Sequence, residues 1–240
     1  MIPQHEAHIH YGDQYINISS PLFDDYVFQE ILKTKSFYEI RFLEYLKFVV
    51  RKHGAIIDAG ANIGNHSLFF SLVMKRQTLS FEPNPIAHDA LQKNIHLNHS
   101  IAECFPLGLA DGPGYTRILF DGILEKNIGM AKLDTRTTEP SDIRLTSIDD
   151  FLANYPGNRS IAAIKIDVEG YEERVLRGAT KTLKKMRPSI FAEAQDTASF
   201  EELAALLLAS GYSPVKVMGA TPMWHFAPNE RYSEFILSNT

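Results

Sequence analysis

Residues 55–67 read AIIDAGANIGNHS. The first four form a short apolar run that ends in Asp58, as a buried strand does. Gly60, Asn62 and Gly64 follow at alternate positions, and glycine and asparagine tolerate a left-handed backbone best. Apolar residues at helical spacing come next. The segment therefore predicts a strand, a tight turn and a helix whose first backbone N–H groups are free to bind a ligand.

Short apolar runs alternate with amphipathic stretches on both sides of this segment. The predicted strands are residues 55–58, 78–81, 102–109, 162–168, 189–194, 213–218 and 234–237. The predicted helices are residues 65–75, 86–97, 147–153, 172–186 and 200–209. Strands separated by helices are typical of βαβ units, so we predict an α/β fold with a doubly wound, mostly parallel sheet of about seven strands. Such sheets bind ligands at the carboxyl ends of their strands.

Two further regions surround this predicted sheet. Residues 8–18 indicate two short strands around a Gly-Asp turn, and residues 24–50 carry apolar side chains at helical spacing. We therefore predict an N-terminal extension over residues 1–50, a hairpin plus helix that packs beside the main domain of residues 51–240 or covers it. Residues 111–146 interrupt the alternation, and we interpret them as an inserted hairpin and loop near the mouth of the site.

Composition defines the class of protein. With 240 residues, 45% of them hydrophobic and 22% charged, the chain has the make-up of one globular domain with a sizeable core. The net charge of −5 gives no basic excess, so we predict no nucleic-acid partner. No apolar run is long enough for a membrane span, and the first ten residues lack a secretory signal, so we predict no membrane partner. The single cysteine, Cys104, excludes an intrachain disulfide and fits a cytoplasmic location.

The acid before the turn discriminates between two classes of ligand. Dinucleotide enzymes place a pyrophosphate on a G-x-G-x-x-G turn. Here Asn62 replaces the middle glycine, and Asp58 lies two residues before Gly60. A carboxylate would repel a pyrophosphate, whereas it would attract the ammonium and sulfonium groups of S-adenosylmethionine. The turn therefore favours S-adenosylmethionine over a nicotinamide cofactor, and a turn without any ligand remains an alternative.

An acid also follows the second predicted strand. Glu82 lies 24 residues after Asp58, where a carboxylate can accept both hydrogen bonds of a ribose diol in nucleotide-binding α/β folds. A surface glutamate at a strand end is the alternative. Asn84 is suited to cap the helix that starts at Pro85.

Carboxylates also gather after the fourth predicted strand, where residues 165–172 read KIDVEGYE. Lys165 and Asp167 alternate on an apolar strand and so share one face. Acids in a first helical turn explain Glu172 but not Asp167. Clustered carboxylates can orient a hydroxyl, accept its proton or hold a metal. We predict catalytic roles for Asp167, Glu169 and, in the fifth strand, Glu193, and we assign no metal ligand.

These motifs together resemble the FkbM family of methyltransferases. The resemblance rests on residues 57–67, on FEPNP at 81–85, on LQKNIHLN at 91–98, on KIDVEGYE, and on SIDDFL at 147–152 and PSIFAE at 188–193. It covers roughly residues 38–195. It implies a Rossmann-like fold of the class I methyltransferase type and S-adenosylmethionine-dependent O-methylation of natural products or sugars. The pair Ala194-Gln195 departs from the family pattern, in which a histidine is expected nearby.

The resemblance also implies roles for individual residues. Asp58 and the turn residues Gly60, Asn62 and Gly64 would cradle the methionine part of the cofactor. Glu82 would hold its ribose, with Asn84 beside it. Gly108 and Leu109, at the end of the third predicted strand, would approach the adenine. Asp167 would face the transferred methyl group.

The acceptor and three rival functions remain open at this stage. The acceptor implied is a hydroxyl of a small molecule or glycan, with a pocket shaped by the N-terminal helix, the 111–146 insertion and a late loop containing Trp224 and His225. The rivals are a nicotinamide-dependent oxidoreductase, a nucleic-acid methyltransferase and a catalytically silent binding module. DVEGY replaces the proline-rich motif of methyltransferases that act on base amino groups, which disfavours the second. A homodimer is compatible with the sequence.

Overall fold

The computed structural model describes residues 5–119, 132–133, 143–157, 160–219 and 221–236. Its strands are β1 (His5–Tyr11), β2 (Gln14–Ser20), β3 (Ala55–Ala59), β4 (Thr78–Phe81), β5 (Ala102–Phe105), β6 (Gly108–Leu109), β7 (Gly114–Thr116), β8 (Ile118–Leu119), β9 (Lys132–Leu133), β10 (Ile143–Thr146), β11 (Ile161–Ile166), β12 (Ser189–Glu193), β13 (Tyr212–Met218) and β14 (Met223–Pro228). Its α-helices are α1 (Tyr26–Thr34), α2 (Ile40–Val49), α3 (Asn65–Leu68), α4 (Pro85–Leu97), α5 (Ile148–Asn154), α6 (Glu172–Arg177), α7 (Thr180–Met186), α8 (Thr197–Ala209) and α9 (Tyr232–Ile236). A π-helical turn, Phe69–Val73, continues α3, and a 3₁₀ turn, Asn229–Arg231, precedes α9.

The central sheet has seven strands in the order β13-β14-β12-β11-β3-β4-β5. The strands from β12 to β5 are parallel, and β14 is antiparallel to both of its neighbours. Ile56 of β3 belongs to one buried cluster and its neighbour Ile57 to another, so the two faces of the sheet are both covered. The predicted α/β fold with a mostly parallel sheet of seven strands is confirmed.

The N-terminal hairpin of β1 and β2 turns at Gly12, as the sequence predicts, and is fastened to α4 by one buried asparagine. Asn94 accepts hydrogen bonds from the backbone N–H of Ser19 at 2.8 Å and from its hydroxyl at 2.9 Å. The amide nitrogen of Asn94 donates to the carbonyl groups of Ser19 and Ile63. This side chain therefore joins the hairpin, α4 and the turn after β3, and residues of the hairpin, α1 and α2 share one buried cluster with the sheet.

Two predicted elements are divided. The strand predicted over 102–109 leaves the central sheet after Phe105, and β6 instead pairs with β10 in a separate three-stranded sheet with β7. The helix predicted over 172–186 is two helices, α6 and α7. A Cβ on Gly178, between them, would lie 2.0 Å from the carbonyl oxygen of Ala110, and the Gly178 carbonyl accepts from Asp149 N–H. The neighbouring backbone thus occupies the place where a single helix would continue.

The last strand of the sheet differs from the prediction. Residues Tyr232–Ile236 form a helix, so the strand predicted over 234–237 is wrong for its described part, and residue 237 lies outside the description. The missing strand is β14, whose residues Trp224 and His225 were predicted to lie in a loop. It lies between two neighbours in the sheet and is buried along most of its length, so it lacks the polar alternation that marks a half-exposed strand.

Part of the 111–146 insertion is described. Its strand β7 pairs with β10, and β8 pairs with β9, both antiparallel. The predicted strand ends at residues 120 and 129–131, and the rest of the predicted loop at 121–128 and 134–142, lie outside the described residues. Over the part of the chain that is described, no helix has the length and apolarity needed to cross a membrane.

Candidate active site

The turn after β3 has the backbone that its sequence predicts. Gly60, Asn62 and Gly64 have φ angles of +75°, +49° and +97°, all in the left-handed region. A Cβ on Gly60 would lie 1.8 Å from the carbonyl oxygen of Asp167, so only glycine lets the ends of β3 and β11 approach this closely. The turn and Asp167 are therefore adjacent at the carboxyl edge of the sheet.

Glu82 supports this turn from the neighbouring strand. Its carboxylate accepts hydrogen bonds from the backbone N–H groups of Asn62 at 2.8 Å and Asn84 at 2.9 Å. The side chain is buried, and burial raises its pKa to about 7 although both hydrogen bonds favour the charged form. Asn84 caps α4 by accepting from Ile86 N–H, as the sequence predicts.

Lys165 connects the turn with the acidic end of β11. The side chain is 2% exposed, and its ammonium lies 3.3 Å from Asp58 Oδ1 and 3.4 Å from Asp167 Oδ2. It also donates to the carbonyl oxygen of Gly60 at 2.8 Å. Burial lowers the pKa of this ammonium, but the charges of Asp58 and Asp167 outweigh burial, so the net pKa is raised and Lys165 is charged. Lys165 lies on the face predicted from the sequence, and no role for it was predicted.

Asp58 is paired beneath the turn. It is fully buried, accepts a hydrogen bond from the Ser67 hydroxyl at 2.6 Å and lies opposite Lys165 in the β3–β11 register. Burial raises the pKa of Asp58 and Lys165 opposes the rise, and the close ammonium favours an ionised pair. A ligand on the turn would therefore meet the charge of Asp58 together with that of Lys165, and not an isolated carboxylate.

Three carboxylates converge beyond the turn. Oxygen atoms of Asp167, Glu169 and Glu193 all lie within 4.8 Å of one another. Strand β11 ends at Ile166, so Asp167 follows the strand, whereas the sequence predicted a strand that continued to residue 168. Glu169 has a φ of +52° in the loop that follows. We call Asp167, Glu169 and Glu193 the acidic cluster.

Glu172 holds the loop that carries Glu169. Its carboxylate accepts hydrogen bonds from the backbone N–H groups of Val168 and Gly170, both at 3.1 Å. The loop therefore has an acceptor supplied by the first turn of α6. This arrangement agrees with the alternative reading of Glu172 as a residue that stabilises a helix start.

Glu193 is the most enclosed member of the acidic cluster. It ends β12, is 4% exposed and is hydrogen-bonded by the side chain of Thr221. Burial, with the negative charges of Asp167 and Glu169, raises its pKa to about 8. Its Oε2 atom has no hydrogen-bond partner among the described residues.

The N-terminal extension brings Tyr38 and Glu39, which the sequence did not single out, to the start of α3 directly after the turn. The backbone N–H and carbonyl of Tyr38 are hydrogen-bonded by the Asn65 side chain at 3.0 and 3.1 Å. Burial raises the pKa of Tyr38, and the charges of Glu39, Tyr26, Asp167 and Glu193 raise it further. His66 Nε2 lies 3.5 Å from Glu39 Oε2, and burial lowers the pKa of His66. Only the folding of residues 37–39 onto α3 relates these groups to the site, since no motif links them.

Gly108, Leu109 and His225 do not lie where the sequence predicted. Gly108 and Leu109 are buried in β6, within the small sheet and not at the end of a long third strand. His225 does not lie in a late loop that closes over substrate. It is buried in β14, contacts the Tyr45 hydroxyl through Nδ1 at 2.8 Å and stacks on Phe191 with ring centroids 4.6 Å apart, and burial lowers its pKa to about 3.

The sequence is similar to those of known methyltransferases. Residues 58–214 match the family described as the methyltransferase FkbM domain. Methyltransferase sdnD of Sordaria araneosa is 28% identical over 192 residues, which cover 65% of this chain and 73% of the relative. The 31-O-demethyl-FK506 methyltransferase FkbM of Streptomyces tacrolimicus is 28% identical over 195 residues, which cover 69% of this chain and 75% of the relative.

The fold is also similar to that of a solved structure. The crystal structure of methyltransferase FkbM from Methylobacillus flagellatus KT superimposes with a TM-score of 0.53 and 18% sequence identity. The match covers 75% of this chain and 45% of the other, so this chain spans less than half the length of that protein. The likeness concerns the fold, and it agrees with the sheet described above.

Proposed function

This chain belongs to the methyltransferase FkbM domain family, and on that premise we propose that it transfers the methyl group of S-adenosylmethionine to a hydroxyl group. In this reaction the bond between sulfur and the methyl carbon breaks and a carbon–oxygen bond forms. S-adenosylhomocysteine leaves, and the hydroxyl proton passes to a carboxylate. The observation that carries the proposal is the close approach of the glycine turn to Asp167, which puts a ligand-binding backbone beside a cluster of proton acceptors.

The turn, in this proposal, binds the cofactor. Its left-handed residues Gly60, Asn62 and Gly64 leave the backbone open to a ligand, and α3 begins directly after them. Glu82 would accept hydrogen bonds from the ribose hydroxyls, with Asn84 beside it. The charges of Asp58 and Lys165, which lie beneath the turn, would contribute to binding the methionine end of the cofactor. Gly108 and Leu109 are assigned to the adenine only by the family resemblance.

The acidic cluster, in this proposal, orients and deprotonates the acceptor. Most of the rate enhancement would come from holding the hydroxyl in line with the sulfonium methyl. Asp167 is the first choice for the base, because Lys165 fixes one of its oxygens while its side chain is 29% exposed. Glu169 is the second choice for the base. Glu193, at the end of β12, would be the third carboxylate around the acceptor hydroxyl.

We propose a small molecule or a glycan as the source of the hydroxyl. The Streptomyces relative is named for a 31-O-demethyl substrate, which is consistent with an oxygen acceptor in a natural product. Tyr38 and Glu39 contact the start of α3 and lie outside residues 58–214, which match the family model, so we propose them as groups that shape the acceptor pocket. A cytoplasmic location, the absence of a nucleic-acid partner and a homodimer remain predictions from the sequence.

Binding of the cofactor tests the proposal directly. We expect isothermal titration to show one molecule of S-adenosylmethionine bound per chain, and no binding at millimolar ligand would contradict the proposal. The variant Asp167→Asn should retain cofactor binding. With a panel of hydroxylated acceptors, its rate of S-adenosylhomocysteine release should fall by about 10²-fold or more, which is the order of a general-base contribution. Full retained turnover would reject Asp167 as the base.

A further inference from the structure

The proposed cofactor carries a positive charge on its sulfur, and the carboxylate predicted from the sequence to attract that charge is already paired. Asp58 is fully buried beneath the turn, and the Lys165 ammonium lies 3.3 Å from its Oδ1 atom. The same ammonium lies 3.4 Å from Asp167 Oδ2. An ammonium this close offsets the attraction that these carboxylates exert on a second cation. Recognition of the sulfonium therefore needs a further partner beside the turn.

The N-terminal extension holds Tyr38 next to the turn. Asn65 directly follows Gly64, and its side chain accepts a hydrogen bond from the Tyr38 backbone N–H at 3.0 Å. The same side chain donates to the Tyr38 carbonyl oxygen at 3.1 Å. Asn65 is 6% exposed, so both bonds are shielded from water. The backbone of Tyr38 is thus fixed relative to the turn at two points.

Glu39, the next residue, relates the same segment to the end of β12. A Cβ on Gly219 would lie 2.7 Å from Glu39 Oε1 and 2.6 Å from the carbonyl oxygen of Thr221. The Thr221 side chain is hydrogen-bonded to Glu193, the last residue of β12. Residues 38–39 therefore border both the turn after β3 and the carboxyl end of β12, which is the region where the proposed methyl transfer takes place.

The Tyr38 ring is uncharged and lies at the boundary between the core and the surface. Burial raises the pKa of its phenol, and the charges of Asp167 and Glu193 are among those that raise it further, so the phenol is neutral near pH 7. The ring packs edge-on against Tyr26, with centroids 5.9 Å apart, and Tyr26 is 51% exposed. A neutral tyrosine ring can attract a cation through its face.

We propose that Tyr38 is a specificity-determining residue that binds the sulfonium of S-adenosylmethionine against its ring. The product, S-adenosylhomocysteine, has an uncharged thioether in place of the sulfonium. The attraction to the ring is therefore lost when the methyl group leaves, which favours release of the product. The inference rests on the proposed function. Tyr38 lies outside residues 58–214, which match the family model, and belongs to none of the motifs recognised in the sequence.

Isothermal titration of the full chain with S-adenosylmethionine and with S-adenosylhomocysteine tests the inference. We expect Tyr38→Leu to weaken binding of S-adenosylmethionine by about 2- to 30-fold more than binding of S-adenosylhomocysteine, which is the range of cation–π contacts. Tyr38→Phe retains the ring and should retain the preference. Tyr15→Leu removes a 72% exposed tyrosine of β2 and is the matched control, with an unchanged ratio of the two affinities.

A second variant separates attraction by the ring from a structural role. We expect 3,4,5-trifluorophenylalanine at position 38 to lower the affinity for S-adenosylmethionine relative to Tyr38→Phe and to leave that for S-adenosylhomocysteine unchanged. Fluorine withdraws charge from the ring face and changes the shape of the ring little. This comparison is decisive if circular dichroism shows that Tyr38→Leu does not fold.

The outcomes distinguish the inference from the proposed function. Equal losses of affinity for the two ligands in Tyr38→Leu, or a ratio of affinities that fluorination leaves unchanged, overturn the role of Tyr38 while the function stands. If the wild-type chain binds neither ligand at millimolar concentration, the proposed function fails and the inference fails with it.

Discussion

Replacing Lys165 by methionine removes one charge from a buried network and keeps nearly the same volume. The ammonium is 3.3 Å from Asp58, and a pair at that distance has a Coulomb energy of about 5 kcal/mol at an effective dielectric constant of about 20. Loss of the amine leaves Asp58 fully buried with the Ser67 hydroxyl as its remaining donor. Methionine avoids the desolvation of the ammonium, which offsets part of the lost attraction. Because the unpaired charge of Asp58 stays buried, we expect the free energy of unfolding to fall by about 3–5 kcal/mol. That is a large part of the roughly 5–15 kcal/mol typical of a folded protein.

Urea denaturation, followed by circular dichroism and by the fluorescence of the single tryptophan, Trp224, measures this change. The double variant Asp58→Asn, Lys165→Met should recover about 2–3 kcal/mol relative to the sum of the single variants, because it leaves no buried charge unpaired. A loss below about 1 kcal/mol in Lys165→Met, or strict additivity in the double variant, would show that the ion pair does not stabilise the turn and would refute the reasoning.

Two other perturbations test the turn. Gly60→Ala should destabilise the protein by more than about 1 kcal/mol and weaken cofactor binding, because the new methyl group would lie 1.8 Å from the Asp167 carbonyl oxygen at a φ of +75°. Thermal unfolding measures the loss of stability. Gly112→Ala, where a Cβ meets open space, is the control. Glu82 has a pKa of about 7 in the folded protein against an ordinary 4.5, so the folded protein holds a proton that the unfolded chain releases, and its contribution to stability should fall by about 3 kcal/mol as the pH rises from about 4.5 to 7. Glu82→Gln should remove this slope, and an unchanged pH dependence in that variant would contradict the assignment.

The sequence determines the turn and the family. Glycine and asparagine at alternate positions after an apolar run are the residues that a left-handed βα turn requires, and Gly60, Asn62 and Gly64 adopt that backbone. Asn84 caps α4 for an equally local reason, since its side chain reaches the second residue beyond it. Such features depend on a few consecutive residues, so a sequence pattern is sufficient to predict them.

Predictions failed where distant segments decide the structure. The helix predicted over 172–186 is interrupted at Gly178, where the backbone of Ala110 approaches. A glycine in the sequence does not show that a segment so distant in the chain will pack against it. Strand β14 was missed because its burial between β12 and β13 removes the alternation by which strands are recognised. Residue 167 was predicted to lie in a strand, but the pairing of β11 with β3 ends at Ile166.

The sequence by itself determined the alternation of strands and helices in the parallel part of the sheet, the glycine turn of residues 60–64 and the presence of acids at the carboxyl ends of β3, β4, β11 and β12. Only the tertiary structure decided what those acids face. Packing of β11 against β3 pairs Asp58 with Lys165, and packing of β12 on the other side of β11 brings Glu193 to Asp167 and Glu169. The physical reason is that the interaction between charges depends on their distance and their burial. Both are set only when parallel strands that are far apart in the sequence pair with one another.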